Sequence, residues 1–450
     1  MPIKTLPYCL ILSLLLALPS CGQPRDEQPN YYEISRADYQ DHLEGFWLGL
    51  SIANWTGLVT EMDKIGGEGQ HGQFYTRDDW GKPDQPSIWG QGVPSDLSAN
   101  IDWVLVEPGE SWGADDDTDI EYIYLDLLAK SPSVRLSGEQ IRSAWIAHIY
   151  RDDETPFSTT EGQPENYLWV SNEAAFELML NDGLIPPLTS DPELNPHTDM
   201  IDAQLTTELF GALTPARPDI AQSLAELPIR TTARSHAEYA AQFYVTLHSL
   251  ALVNDEQRSR AEQIHWLAMQ GRLTLPNDSY TAAMFDFVQQ QYQQGVAWEA
   301  TRDELYQRYQ VEQQDGYDIS SRDLYCNGCF AAGINFGASI ISLLYGEGDY
   351  QNTVKLAVLM GWDSDNPAAT WGGLIGLMDG RAKLAQQFDT PLSDSFNIGR
   401  TRKNFPNNGL DTFPQMAARG VLIIDRIVSE ELDGIVDLEE EVWLIPRSVD

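Results

Sequence analysis

Cations are what this chain most lacks. Its 450 residues carry 28 Lys+Arg against 68 Asp+Glu, a net charge of −40, with a pI near 4.3. Lys is scarcer than Arg. Binding along a nucleic-acid backbone is therefore not expected, because phosphate needs Lys and Arg. An acidic, Lys-poor surface suits saline surroundings outside the cytoplasm. It also offers many non-specific cation sites, so acid clusters alone say little. Cysteine is scarce too, with four in all. Cys326 and Cys329 form a C-x-x-C pair, yet no second His or Cys pair completes a zinc site. The βαβ setting of a redox dithiol is missing as well. A local disulfide is the expectation in an oxidising compartment, with packed or free thiols as alternatives. No Ser-His-Asp order and no Gly-rich phosphate loop stands out. Long apolar runs are also missing. Leu6–Leu18 is too short to span a membrane comfortably, and Cys329–Tyr345 is interrupted by Asn335.

What the N-terminus does hold is an export pattern. Lys4 precedes the apolar run, and Leu18-Pro19-Ser20-Cys21 follows it. A Cys directly after a small residue resembles the lipobox of bacterial lipoproteins. That resemblance implies that residues 1–20 are a signal peptide and that Cys21 becomes a lipidated N-terminus. Gly22 stands where an inner-membrane retention signal favours Asp. The expected location is thus the bacterial cell envelope, on an outer-membrane lipoprotein facing the periplasm or the exterior. Residues 21–34 read as a tether, so the membrane is met only through the lipid.

Residues 35–450 read as one all-α, compact multi-helix domain. Apolar residues recur at helical spacing over Ser35–Leu58, from Thr118 onward (Ile120, Ile123, Tyr124, Leu127), and over 138–149, 174–180, 201–213, 220–227, 236–251, 255–270 and 279–309. Cys329–Tyr345 is apolar on nearly every side and predicts a buried central helix. Its Asn335 needs a structural hydrogen-bond partner. Helices over 351–360, 368–378 and 412–430 follow, and strand-like alternation is confined to short pieces such as Val442–Ile445. Residues 65–112 break this pattern as a long irregular insertion rich in Gly, Pro and Trp. Such a segment in a compact domain is usually functional, and a structured cover over a pocket is expected.

Two acid clusters carry the chemistry. Asp115-Asp116-Asp117-Thr118 precedes one helix and Asp363-Ser364-Asp365-Asn366 another. Helix N-termini favour negative charge, so capping explains one or two of these acids. It does not require Asp115, Asp116, Asp117 and Asp119 within five residues. A fold that brings both clusters together needs cations between them.

With their flanks, the clusters resemble the ADP-ribosylglycohydrolase family, which includes the dinitrogenase-reductase-activating glycohydrolases and the ADP-ribosyl-acceptor hydrolases. The second cluster continues from Gly361-Trp362 through Pro367-Ala368-Ala369 to Gly372, Gly373 and Gly376. A third match runs from Gly45 to Gly57 and ends in Glu61. The resemblance implies a metal-dependent glycohydrolase acting on an ADP-ribosyl-like or other ribose-type glycosidic bond. It implies two Mg²⁺ ions held by Asp116, Asp117, Asp363 and Asp365, with Asp115 and Asn366 beside them. Glu61 matches a glutamate near the metals. Glu61 and Asp117 are the candidate catalytic carboxylates. Mg²⁺ prefers hard oxygen ligands, and a metal pair can hold a sugar diol and activate water.

Three positions depart from the family pattern. Asp115 and Asn366 stand where it has Thr, and Asn54 where it has an acid. The more acidic shell admits Mn²⁺ or Ca²⁺ beside Mg²⁺. Substrate-binding candidates are His236, which begins a helix, and Trp362, which can stack on a ring or sit in the core. A small-molecule or ADP-ribosyl substrate and a monomeric state are expected. The alternative is a non-catalytic sugar- or nucleotide-binding lipoprotein on the same scaffold.

Overall fold

The computed structural model describes Met1 and residues 31–447, apart from 94, 160, 256, 323–325 and 327. The expected signal peptide, Cys21 and the tether up to Asn30 lie outside the described residues. The rest of the expected tether is a correction. Tyr31–Ser35 is a strand, paired antiparallel with Val442–Pro446, which in turn pairs with Ile435–Asp437. The chain thus enters the domain at Tyr31, beside the strand that closes it.

Apart from two short antiparallel pairs, Phe157–Ser158 with Pro164–Glu165 and Ser395–Asn397 with Leu410–Thr412, the remaining regular elements are helices, as the apolar spacing predicts. The first, Arg36–Gly57, starts at Ser35, whose hydroxyl accepts from the Asp38 amide at 3.2 Å. Small residues stand every fourth position along it: Gly45, Gly49, Ala53 and Gly57. Residues four apart share one helix face. That face packs on the helix Asp365–Asp379 through Gly372 and Gly376. A Cβ on Gly49 would lie 2.3 Å from the Gly372 carbonyl oxygen, and one on Gly57 would lie 2.3 Å from the Asp365 Cα. Only glycine permits this approach. It carries the end of the first helix onto the second acid cluster. The amphipathic helix Phe413–Glu430 covers another side of the first helix, with Gly420 against Leu43.

The buried central helix spans Ala332–Gly346, with only Tyr345 short of full burial. Its Asn335 finds the required partners. The amide donates to the carbonyls of Cys329, at 2.8 Å, and Ala331, at 3.0 Å. Cys326 and Cys329 are joined as a disulfide. Among the described residues no helix is long and apolar enough to cross a membrane.

Two expected helices are broken. Residues 201–213 split into Ala203–Thr206 and Glu208–Ala212 at the non-helical Thr207. Residues 279–309 split into Tyr280–Gln293 and Trp298–Tyr306, because Gly295 takes a φ of 70°. Among its described residues, the insertion over 65–112 has no helix or strand beyond the short turn Arg77–Asp79. Its rings nevertheless pack: Trp103 stacks on Tyr350 at 6.1 Å, and Tyr75 donates to Asp63 at 2.6 Å.

Candidate metal centre and cavity

Asp115 is the N-cap of the helix Asp116–Lys130. One of its oxygens accepts from the Thr118 amide at 2.9 Å, and the other accepts from Asn54 Nδ2 at 2.7 Å. The same Asn54 amide reaches Asp365 Oδ2 at 3.2 Å. A neutral side chain therefore bridges the two clusters at the position where an acid would add a third charge. Asp116 and Asp117 follow in the first turn, where the helix N-terminus favours them. Asn172 Nδ2 donates to Asp116 Oδ2 at 2.9 Å and to Asp117 Oδ1 at 2.7 Å. The backbone amide of Asn172 donates to Asp202 at 2.9 Å.

The second cluster is set by its turn. Trp362 lies in the left-handed region at φ 55°, and Asn335 Oδ1 accepts from the Asp363 amide at 3.2 Å. The Ser364 hydroxyl donates to the Gly57 carbonyl at 3.0 Å. Two carboxylate groups result. Glu61, Asp363 and Asp365 each offer an oxygen within 4.8 Å of the others, and so do Asp116, Asp117 and Asp202. Asn366 donates to Asp117 Oδ2 at 2.7 Å and ties the groups together.

Burial dominates the electrostatics. It pushes the carboxyls of Asp116, Asp117, Asp363, Asp365 and Glu61 well above the usual range, and their mutual repulsion pushes them further. Asp202 is raised to about 6, again chiefly by burial. Asp365 Oδ1 is buried with no hydrogen-bond partner. Buried carboxyls in such a set must hold protons or meet cations. Oxygen donors without His or Cys suit hard divalent ions such as Mg²⁺, Mn²⁺ or Ca²⁺. The residues fit metal ions, and the donor set does not choose among the three.

Both groups line one cavity of about 780 Å³, together with Trp55, Trp89, Tyr167, Trp169 and Arg400. Among the described residues of the insertion, Trp89, Gly92, Val93, Ser95 and Leu97 reach it. Of the expected site residues, Glu61, Asp115, Asp116, Asp117, Asp363, Asp365 and Asn366 come together here. Asp115 lines the cavity but stands outside both carboxylate groups, since capping and Asn54 occupy its oxygens. Trp362 and His236 do not reach the cavity. Trp362 is fully buried, its ring 4.8 Å from that of Phe74, and His236 stacks on Tyr280 at 3.6 Å.

Sequence reasoning missed Asp202, Asn172 and Arg402. Arg402 is buried, pairs with Asp119 at 3.1 Å and donates to the carbonyls of Asn166 and Tyr167. Asp202 and Asn172 lie in ordinary stretches with no cluster to flag them, whereas Arg402 sits in the run Arg400-Thr401-Arg402-Lys403, a local concentration of cations in a cation-poor chain. A further hint was Asp202 opening an apolar segment.

Fold and site define an all-α protein with a cavity lined by two groups of carboxylates suited to divalent ions. The family model for ADP-ribosylglycohydrolase matches residues 35–410, and the chain belongs to that family. No curated protein matches it. A solved chain described as an ADP-ribosylglycohydrolase-related protein complex is similar at 14% identity and a TM-score of 0.48, covering 87% of this chain and 99% of its own.

Proposed function

We propose that this protein is a metal-dependent glycohydrolase cleaving an ADP-ribosyl-like or other ribose-type glycosidic bond. One observation carries the reading: acid clusters far apart in sequence converge as two carboxylate groups on one cavity. Glu61, Asp363 and Asp365 would hold one divalent ion, and Asp116, Asp117 and Asp202 the other, with Mg²⁺ the first candidate. Such ions supply Lewis acidity beside a sugar diol. The chain's own residues do the remaining work. Asn172 and Asn366 orient Asp116 and Asp117 by hydrogen bonds. Glu61, half-buried at the cavity wall, takes the proton of the attacking water, with Asp117 the second candidate for that role. An acid-rich wall suits the oxocarbenium-like charge that develops on the sugar.

The test is hydrolysis of ADP-ribosyl-arginine, ADP-ribosyl-serine and a nucleoside panel, with Mg²⁺ and with chelator. Metal-dependent turnover that falls in Glu61→Gln and Asp365→Asn supports the proposal. A second reading, a non-catalytic binding protein, is favoured by Asn366, whose amide is spent on Asp117. Ligand binding by calorimetry without turnover would establish it instead. We also place the protein at the cell envelope, a monomer anchored through Cys21.

A further inference from the structure

Another concavity, of about 490 Å³, shares no lining residue with the cavity of the carboxylate groups. Tyr32, Val253, Asp255, Arg258, Trp266 and Arg447 are among the residues that line it. Separate parts of the chain supply them. Tyr32 belongs to the strand Tyr31–Ser35, Trp266 to the helix Arg260–Arg272, and Arg447 follows the strand Val442–Pro446. Two arginines meeting at one place is unexpected in a chain of net charge −40.

These two also differ from the other arginines. Every other described arginine pairs with a carboxylate or donates to a backbone carbonyl. Arg258 and Arg447 have neither kind of acceptor among the described residues. Arg258 donates to Gln263 Oε1 at 3.2 Å, which uses one of the five N–H groups of a guanidinium. The nearby carboxylates are engaged elsewhere. Asp255 accepts from the Gln257 amide at 3.0 Å, and Glu262 from the Ser259 amide at 2.8 Å.

Both guanidiniums lie over aromatic rings, Arg258 over Trp266 at 4.4 Å and Arg447 over Tyr32 at 4.3 Å. The ring attracts the cation and restricts its motion, so less freedom is lost when an acceptor arrives. A guanidinium over a ring keeps its N–H edge for that acceptor. One fork is filled by a carboxylate, whereas two forks suit the several oxygens and the higher charge of a phosphate group. We infer that Arg258 and Arg447, held over Trp266 and Tyr32, form a binding site for a phosphate group. Tyr32 adjoins Tyr31, where the chain enters the domain. Cys21 is ten positions before Tyr31, at most ~35 Å of extended chain. The proposed anchoring at Cys21 would therefore keep lipid phosphates close at hand, and a free phosphate compound offers the same chemistry.

Calorimetry on the metal-free full chain tests the site with glycerol 3-phosphate, inorganic phosphate and acetate as probes. Without ions the carboxylate groups repel all three. Each phosphate should bind once per chain, and acetate about tenfold more weakly or worse. Arg258→Gln and Arg447→Gln should each weaken glycerol 3-phosphate about tenfold or more, the scale of one charged hydrogen bond, and the double variant should lose it. Circular dichroism checks that the variants are folded. Flotation of the Cys21→Ser chain with phosphatidylcholine vesicles, with and without phosphatidic acid, separates the two sources. Retention by phosphatidic acid that is lost in the double arginine variant assigns the site to a lipid headgroup. Binding of the soluble phosphates without vesicle retention assigns it to a free phosphate compound. Binding of neither phosphate together with no vesicle retention, acetate binding as tightly as phosphate, or wild-type affinity in the double variant overturns the inference.

Discussion

Asp202→Asn separates the cost of the bare carboxylate site from its use in holding metal. Burial raises the Asp202 carboxyl from an ordinary 3.8 to about 6. A folded-state pKa above the unfolded one means that the folded protein keeps its proton longer. The charged form is then penalised: the penalty is small near pH 4, grows as pH rises, and is complete above about 6. At about 1.4 kcal/mol per pH unit, the shift is worth about 3 kcal/mol. Asn keeps one acceptor for the Asn172 amide but loses charge-assisted bonding, which costs about 1 kcal/mol. In chelator near pH 7.5 the variant should therefore be more stable by about 2 kcal/mol, a rise in melting temperature of roughly 2 °C for a domain of this size. Towards pH 4 the difference should shrink to nothing. Excess Mg²⁺ should reverse the order, since ligand binding to the folded state adds stability that the variant forfeits. Thermal melts with chelator and with Mg²⁺ at the two pH values measure all four cases. A variant that melts below wild type in chelator near neutral pH, or equal Mg²⁺ protection of both proteins, would refute the reasoning.

Asn54→Asp puts a carboxylate against Asp115 and Asp365, and should destabilise the metal-free protein near neutral pH by ~3–5 kcal/mol. Thermal melts should show Mg²⁺ recovering most of that loss. Gly57→Ala drives a Cβ into the Asp365 backbone; it should cost about 1–3 kcal/mol in denaturant unfolding and abolish Mg²⁺ protection, because the second cluster must move. Glu61→Gln should lower turnover about 10²- to 10⁴-fold, with single-turnover assays showing the loss in the chemical step. Cys21→Ser should release the protein from the membrane fraction and remove incorporation of labelled palmitate, checked by fractionation and autoradiography.

Local chemistry made much of the fold legible. The 3.6-residue spacing marked the principal helices. The helix Ala332–Gly346 announced its burial by being apolar all round. The two breaks were harder to see, because Thr207 and Gly295 each interrupt a pattern that continues on both sides. The strand Tyr31–Ser35 was invisible for another reason: its partner lies at the far end of the chain, and pairing over that separation leaves no local period.

By itself the sequence determined the charged ingredients and their family: two acid clusters at helix starts, the small residues at every fourth position of the first helix, and Glu61. These are properties of residue type and spacing, and spacing survives without coordinates. Only the tertiary structure decided which oxygens face one another. Asp202 and Asn172 joined the site through packing alone. Asp115 was withdrawn into a cap, Trp362 into the core, and His236 onto Tyr280. A carboxylate becomes part of a metal group by where its oxygens point. That direction is set by the close approach of Gly57 to Asp365 and by the Asn54 bridge, contacts between segments that share no local pattern.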